Sequence, residues 1–202
     1  MFSRFVAAAA VVVALAGPVC GQTTPSRPDP ARTPGAVDPA INGDTMADTI
    51  CNPHWSTKSV RPPSSYTTKL KRRQMRELGY TLANPLPRTP TKSGQGTRLD
   101  LSKCIERSGN TACYEEDHLI SLELGGDPTS ESNLWPEPWT GALNAHIKDR
   151  LENVLHRQVC DGTVKLETAQ KAIAFDWVAA YEEYVGPLPA SAFLAGPSAP
   201  AR

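Results

Sequence analysis

EEDHLISLELGGDPTSESNLW, residues 115–135, is the stretch from which the rest of the chain is read. HLISLEL mixes β-formers with leucines, Gly125-Gly126 supplies a tight turn, and SNLWPEPW resumes in extended form before two prolines. The pattern predicts strand, turn, strand. Asp117-His118 falls at the start of the first strand and Asn133 at the start of the second. Neighbours in a regular strand point to opposite faces, so Asp117 and His118 address one substrate only where the backbone bends.

Helices flank this hairpin. From Gly141 to about Val159, Leu143, Ile147, Leu151 and Val154-Leu155 form an apolar stripe that Asp161-Gly162 ends. Thr163 is placed to cap a further helix over 164–184, with Leu166, Ile173, Trp177 and Tyr181 on one face. Upstream, YTTKLKRRQMREL repeats Tyr66, Leu70, Gln74 and Leu78 at every fourth position after two serines suited to N-capping, and its other faces carry Lys69, Lys71, Arg72, Arg73 and Arg76. Residues 81–113, rich in Pro, Thr, Ser and Gly, read as a long irregular loop. Trp135, Trp139 and Trp177 read as core, and His54 and His156 as histidines without a partner pattern. The fold class is α+β: a β-hairpin with helices packed on it.

The 202 residues hold one domain's worth of folding sequence, over 50–186. Residues 1–21, with Arg4 ahead of an apolar run from Phe5 to Ala16, read as a signal peptide, the run being too short to span a bilayer. Residues 22–49 carry five prolines and almost no large apolar side chain, and read as a disordered linker; 187–202 read as a disordered tail. The protein is therefore expected to be secreted or periplasmic, without stable membrane insertion. Loss of Cys20 with the signal leaves Cys51, Cys104, Cys113 and Cys160, an even set in an oxidising compartment. Three pairings are open. The Ser108-Gly109-Asn110 turn favours Cys104 with Cys113, leaving Cys51 to Cys160, a bridge worth ~4 kcal/mol on the chain-entropy model. No two cysteines stand at Cys-x2-Cys spacing, which weakens a zinc alternative.

Formal net charge is zero, yet it is unevenly spread. Twelve Lys or Arg face three Asp or Glu between Cys51 and Ser108, whereas Tyr114 to Glu131 holds six acidic residues and no Lys or Arg. A basic segment beside an acidic one suits a site that holds a cation and accepts a phosphate, although solvated faces of either sign are commoner.

Phosphodiester hydrolysis at neutral pH needs a base to deprotonate water and a cation to neutralise developing charge on oxygen. His118 suits the first by its pKa range; Asp117 and His146 suit the second as oxygen and nitrogen ligands. Two strands and a helix carrying Asp117-His118, Asn133 and His146 in that order resemble the HNH or His-Me finger endonucleases, over about Glu115 to Glu152. CNPHW, VRPPSSYTTKLKRRQM and AHIKDRLENVLHRQVCDG extend a likeness to small secreted bacterial proteins with an HNH-type core. The resemblance implies a ββα-metal finger stapled by disulfides, with His118 as general base, Asp117 and His146 as metal ligands, and Asn133 steadying the loop that bears the base. It implies one divalent ion, Mg2+ ahead of Mn2+ or Zn2+, and a nucleic-acid substrate, DNA ahead of RNA. Lys148 and Arg150 on the same helix, with Lys71 and Arg72, are the expected phosphate contacts. The interval from Asn133 to His146 is longer than the common HNH spacing, so Asn144, Asp149 and Glu152 are alternative ligands. The competing expectation is a non-catalytic envelope or extracellular binding module on the same scaffold.

Overall fold

The structure, a computed structural model, describes residues 26–83, 86, 88–90, 97–104 and 108–190. The expected signal peptide and the tail beyond 190 lie outside the described residues. The elements run α1 (Ser64–Glu77), β1 (Arg88–Pro90), β2 (Thr97–Leu99), β3 (Tyr114–His118), β4 (Leu134–Pro138), α2 (Ala145–Cys160) and α3 (Leu166–Tyr184). Strands pair antiparallel as β1 with β2 and β3 with β4, which makes the fold α+β. The β1/β2 hairpin lies where a loop without regular structure was expected. No helix among the described residues is long and apolar enough to cross a membrane.

Strand β3 is YEEDH rather than HLISLEL, so Asp117-His118 closes the first strand instead of opening it. The physical reason is cross-strand register. Glu115 pairs with Glu137 and Asp117 with Trp135, leaving Leu119 and Ile120 to turn inward into the core. Leu122–Leu124 then form one turn of 3-10 helix, which Gly125 ends in the left-handed region at φ 74°. A Cβ on Gly126 would stand 1.8 Å from the Ile120 carbonyl oxygen, so the Gly-Gly pair folds a compact loop against the strand end instead of a hairpin tip.

The main core lies between the helical pair and this loop. Leu151, Leu155 and Val159 of α2 meet Ile173, Trp177 and Tyr181 of α3, with Leu119, Leu124 and Trp135 closing the other side. Trp135 and Trp177 are buried as expected, whereas Trp139 is half-buried. Helix α1 covers β3 and β4 through Leu70 and Met75, and the Gln74 amide donates to the Leu134 carbonyl at 2.9 Å. Its N-cap is Pro63, with no side-chain capping bond, in place of the expected serine.

Residues 26–50 are not a free linker. Val37 bridges Gly126, the Gly35 amide donates to the Ser132 carbonyl, and the Asp127 amide donates to the Ala36 carbonyl. Ile41 and Ile50 are buried in the main core. Proline-rich composition marked this segment as unable to form its own core, yet it needs only two isoleucines and borrowed backbone partners to dock on another. Disulfides join Cys51 to Cys160 and Cys104 to Cys113, with Cα separations of 5.3 and 5.5 Å. The longer one ties this N-terminal strap to the end of α2.

Candidate active site

Strand alternation divides β3 between two helices. Glu115 and Asp117 share a face with Glu137 of β4 and meet α2, while Tyr114 and Glu116 face α1. At the C-terminal end of β3 the strand stops, and both Asp117 and His118 border one cleft of about 200 Å³. Glu115, Glu123, Asp149, Glu152, Asn153 and Arg61 also line it.

His118 is buried, and its Nε2 lies 3.0 Å from the Pro128 carbonyl oxygen. A carbonyl only accepts, so Nε2 carries the proton and Nδ1 keeps the lone pair of the neutral ring. Burial lowers the His118 pKa below 6.5, against the raising pull of the Pro128 carbonyl and Asp117. The ring is therefore neutral at physiological pH.

Asn133 holds the loop that follows His118. Its Oδ1 accepts from the Ile120 amide at 2.8 Å, and its Nδ2 donates to the Ile120 and Asp127 carbonyls at 3.0 and 3.1 Å. The Leu119 amide donates to the Asn133 backbone carbonyl at 2.7 Å. Asn133 is fully buried, with every amide atom engaged. It clamps both ends of 120–127 and does not reach the cleft.

Lys148 departs most from its expected role. As the third full residue of α2 after Ala145 it was expected on a phosphate, yet it is 1% exposed and points inward. Its ammonium donates to Asp117 Oδ2 at 2.6 Å, to the His118 carbonyl at 2.8 Å and to Glu152 Oε1. Glu137 Oε2 lies 3.8 Å away. Burial works to lower the Lys148 pKa, but Asp117, Glu152 and Glu137 outweigh it and hold the ammonium well above its ordinary range. Burial pushes Asp117 up, and the Lys148 charge wins, holding that carboxyl below its ordinary value. One ammonium does not keep three buried carboxyls ionised. Burial raises Glu152 to about 7 despite Lys148, and raises Glu137 well above the ordinary carboxylate range. The centre is thus a Lys148–Asp117 ion pair flanked by two carboxyls that burial shifts toward the protonated form.

The remaining cleft carboxyls follow the same rule. Burial, with Asp117 and Asp149 nearby, pushes Glu115 up to about 8. Burial and neighbouring carboxylates also raise Glu123 and Asp149.

His146 is not brought to this cleft. Its side chain is 67% exposed, its ring rests 5.4 Å from that of Trp139, and Nδ1 lies 3.9 Å from Asp149 Oδ2. Asn144, an alternative ligand, caps α2 by accepting from the Ile147 amide. Of the other two alternatives, Asp149 lines the cleft and Glu152 is bound to Lys148. Arg150 lies over the Tyr181 ring of α3 at 5.9 Å and is not among the cleft residues. Lys71 donates to the Tyr114 carbonyl at 2.6 Å, and Arg72 is exposed on α1. None of the four expected phosphate contacts lines the cleft. Arg61, which does, was read only as part of VRPP; no periodic pattern marks a loop residue whose role depends on where α1 docks. The sulfurs of Cys51 and Cys160 near His156 are joined in a disulfide and offer no thiolate to a metal.

No protein family, curated protein or solved structure matches this chain.

Proposed function

We propose that the protein is a phosphodiester hydrolase acting on nucleic acid, an HNH-type endonuclease in which His118 is the general base. The observation that carries this reading is the buried His118 ring, neutral and fixed by its Nε2–H bond to Pro128, in the wall of a polar cleft beside Asp117. The order of strand, Asn133-clamped loop, strand and helix supports a ββα finger.

The reaction uses groups on the cleft wall. His118 Nδ1 takes a proton from water, whose oxygen bonds to phosphorus as the bond to the leaving oxygen breaks. Glu115 carries a proton at neutral pH, its pKa being about 8, and donates it to that leaving oxygen. Arg61 is the cleft cation available to a phosphate oxygen. Products are a phosphomonoester and an alcohol.

A divalent ion does not fit the expected ligand pair. Asp117 Oδ2 accepts from the Lys148 ammonium, and His146 is turned to Trp139 outside the cleft. Glu115, Asp117 and Glu137 do bring an oxygen each within 4.8 Å of one another, but Lys148 already stands 2.6 Å from Asp117 and 3.8 Å from Glu137. No reaction step is therefore assigned to a metal ion.

Nicking of supercoiled plasmid tests the proposal, in Mg2+, in Mn2+ and in EDTA. His118→Ala is expected to lower the rate by about 10²- to 10⁴-fold, the usual contribution of a positioned base. The competing reading, a binding module, is favoured by the exposed basic side chains Lys69, Arg72 and Arg76 of α1. It predicts salt-sensitive DNA binding, weakened by Arg72→Ala, with no nicking and no effect of His118→Ala.

A further inference from the structure

We propose that Lys148 is the resident cation of this site: its ammonium fills the place between Asp117 and α2 that a divalent ion would otherwise take, and it positions Asp117 and the His118 backbone. This deepens the hydrolase reading of the cleft and rests on it.

Saturation of the ammonium is the first argument. A lysine ammonium has three N–H donors, and here Asp117 Oδ2, the His118 carbonyl and Glu152 Oε1 accept all three. With 1% exposure and no donor left over, Lys148 does not bind phosphate and does not touch substrate. It is a positioning residue.

Placement is the second. Lys148 and Glu152 stand one helical turn apart on α2 and face Asp117 at the end of β3. These are the elements from which the sequence pattern drew a metal's ligands. A lysine stands where that reading required a ligand, and it brings the positive charge itself. A cation binding Asp117 meets a like charge already fixed 2.6 Å from Oδ2.

Economy of folding is the third. Buried ion pairs are commonly replaceable by apolar groups without loss of stability. Here the ammonium also bonds the carbonyl of His118, so the same group that neutralises Asp117 sets the backbone from which the base projects.

The test uses the whole protein, with Mn2+ as the probe. Bound Mn2+ is followed by electron paramagnetic resonance, and thermal unfolding is compared in EDTA and in Mn2+. Wild type is expected to show no Asp117-dependent Mn2+ binding and an unchanged Tm. Lys148→Ala is expected to melt lower, to bind Mn2+ and to regain several degrees on binding it. Adding Asp117→Asn to Lys148→Ala is expected to abolish that response. In the nicking assay, wild type is expected to work in EDTA, whereas Lys148→Ala requires Mn2+, a switch that a purely structural lysine would not produce.

Mn2+ binding by wild type that disappears in Asp117→Asn overturns the proposal. A folded Lys148→Ala indifferent to Mn2+ does the same, as does wild-type nicking abolished by EDTA and restored by Mn2+. If Lys148→Ala does not fold, the comparison of wild type with Asp117→Asn decides alone. Absence of nicking by wild type under every condition removes the hydrolase reading, while the Mn2+ measurements still decide the place of Lys148.

Discussion

Lys71 and Lys148 stand on opposite sides of the same strand, each on a helix, each beside carboxylates of YEEDH, and they have opposite fates. Lys148 meets Asp117 directly and is sealed among Asp117, Glu152 and Glu137. Lys71 gives its ammonium to the Tyr114 backbone carbonyl, and both oxygens of nearby Glu116 are left without a hydrogen-bond donor. Burial lowers the Lys71 pKa despite Glu116 and Glu115, whereas three carboxyls raise that of Lys148 despite complete burial. The lesson is that a lysine beside an acidic strand becomes part of a site only when the pair closes out of water. Desolvation then makes each partner depend on the other.

Breaking the sealed pair should have the largest effect. Lys148→Met leaves Asp117 without its counter-charge, and the expected loss is about 3–5 kcal/mol, read from urea unfolding. The same substitution at Lys71 removes one hydrogen bond to a carbonyl and is expected to cost no more than about 1.5 kcal/mol. Equal losses at the two positions would erase the distinction.

A pH series sharpens it further. Glu115 and Glu116 are both raised to about 8 in the fold, chiefly by burial, from an ordinary value of 4.5. A group with a raised folded pKa binds its proton more tightly when native. Its stabilisation is full below 4.5 and is lost as pH rises through about 8. Urea midpoints should therefore fall from mildly acid to mildly alkaline pH. His118 acts oppositely: its lowered folded pKa contributes stability above 6.5 that is lost as pH falls through the folded value. For activity, the same groups predict a bell, with the acid limb set by protonation of His118 below 6.5 and the alkaline limb by ionisation of Glu115 near 8.

The smallest expected effect is that of Glu116→Gln. A carboxyl that already holds its proton at pH 6 resembles an amide, so the change should stay within about 0.5 kcal/mol there. It should also remove part of the fall in stability between pH 6 and pH 8, which the urea midpoints of the variant check.

Much of the frame is legible in the chain because it is periodic. The stripe Leu151 and Leu155 and the stripe Leu166, Ile173, Trp177 and Tyr181 announce α2 and α3, and these side chains are buried as that spacing requires. A local turn and an even count leave three cysteine pairings open but favour the one that forms. Asn133 is found from its place in the motif, and its three side-chain bonds to 120–127 match the role read for it.

Other features are not local and so are not legible. The position of β3 depends on register against β4, and one shift of frame moves Asp117-His118 from the opening of a strand to its close. His146 and Lys148 are two residues apart on one helix, and about 200° of rotation separates solvent from core. Sequence spacing names both as candidates; only the docking of α2 against β3 and β4 turns Lys148 inward and leaves His146 against Trp139.

The chain by itself determined which segments become helices, favoured the cysteine pairing that forms, and marked the Asp-His pair and Asn133 as site candidates. Those outcomes rest on nearest neighbours along the backbone and on periodic burial. Tertiary structure alone decided which charges lose their water. The identity of the cation beside Asp117 follows from that loss, because desolvation depends on every element packed around a group and on no short stretch of sequence.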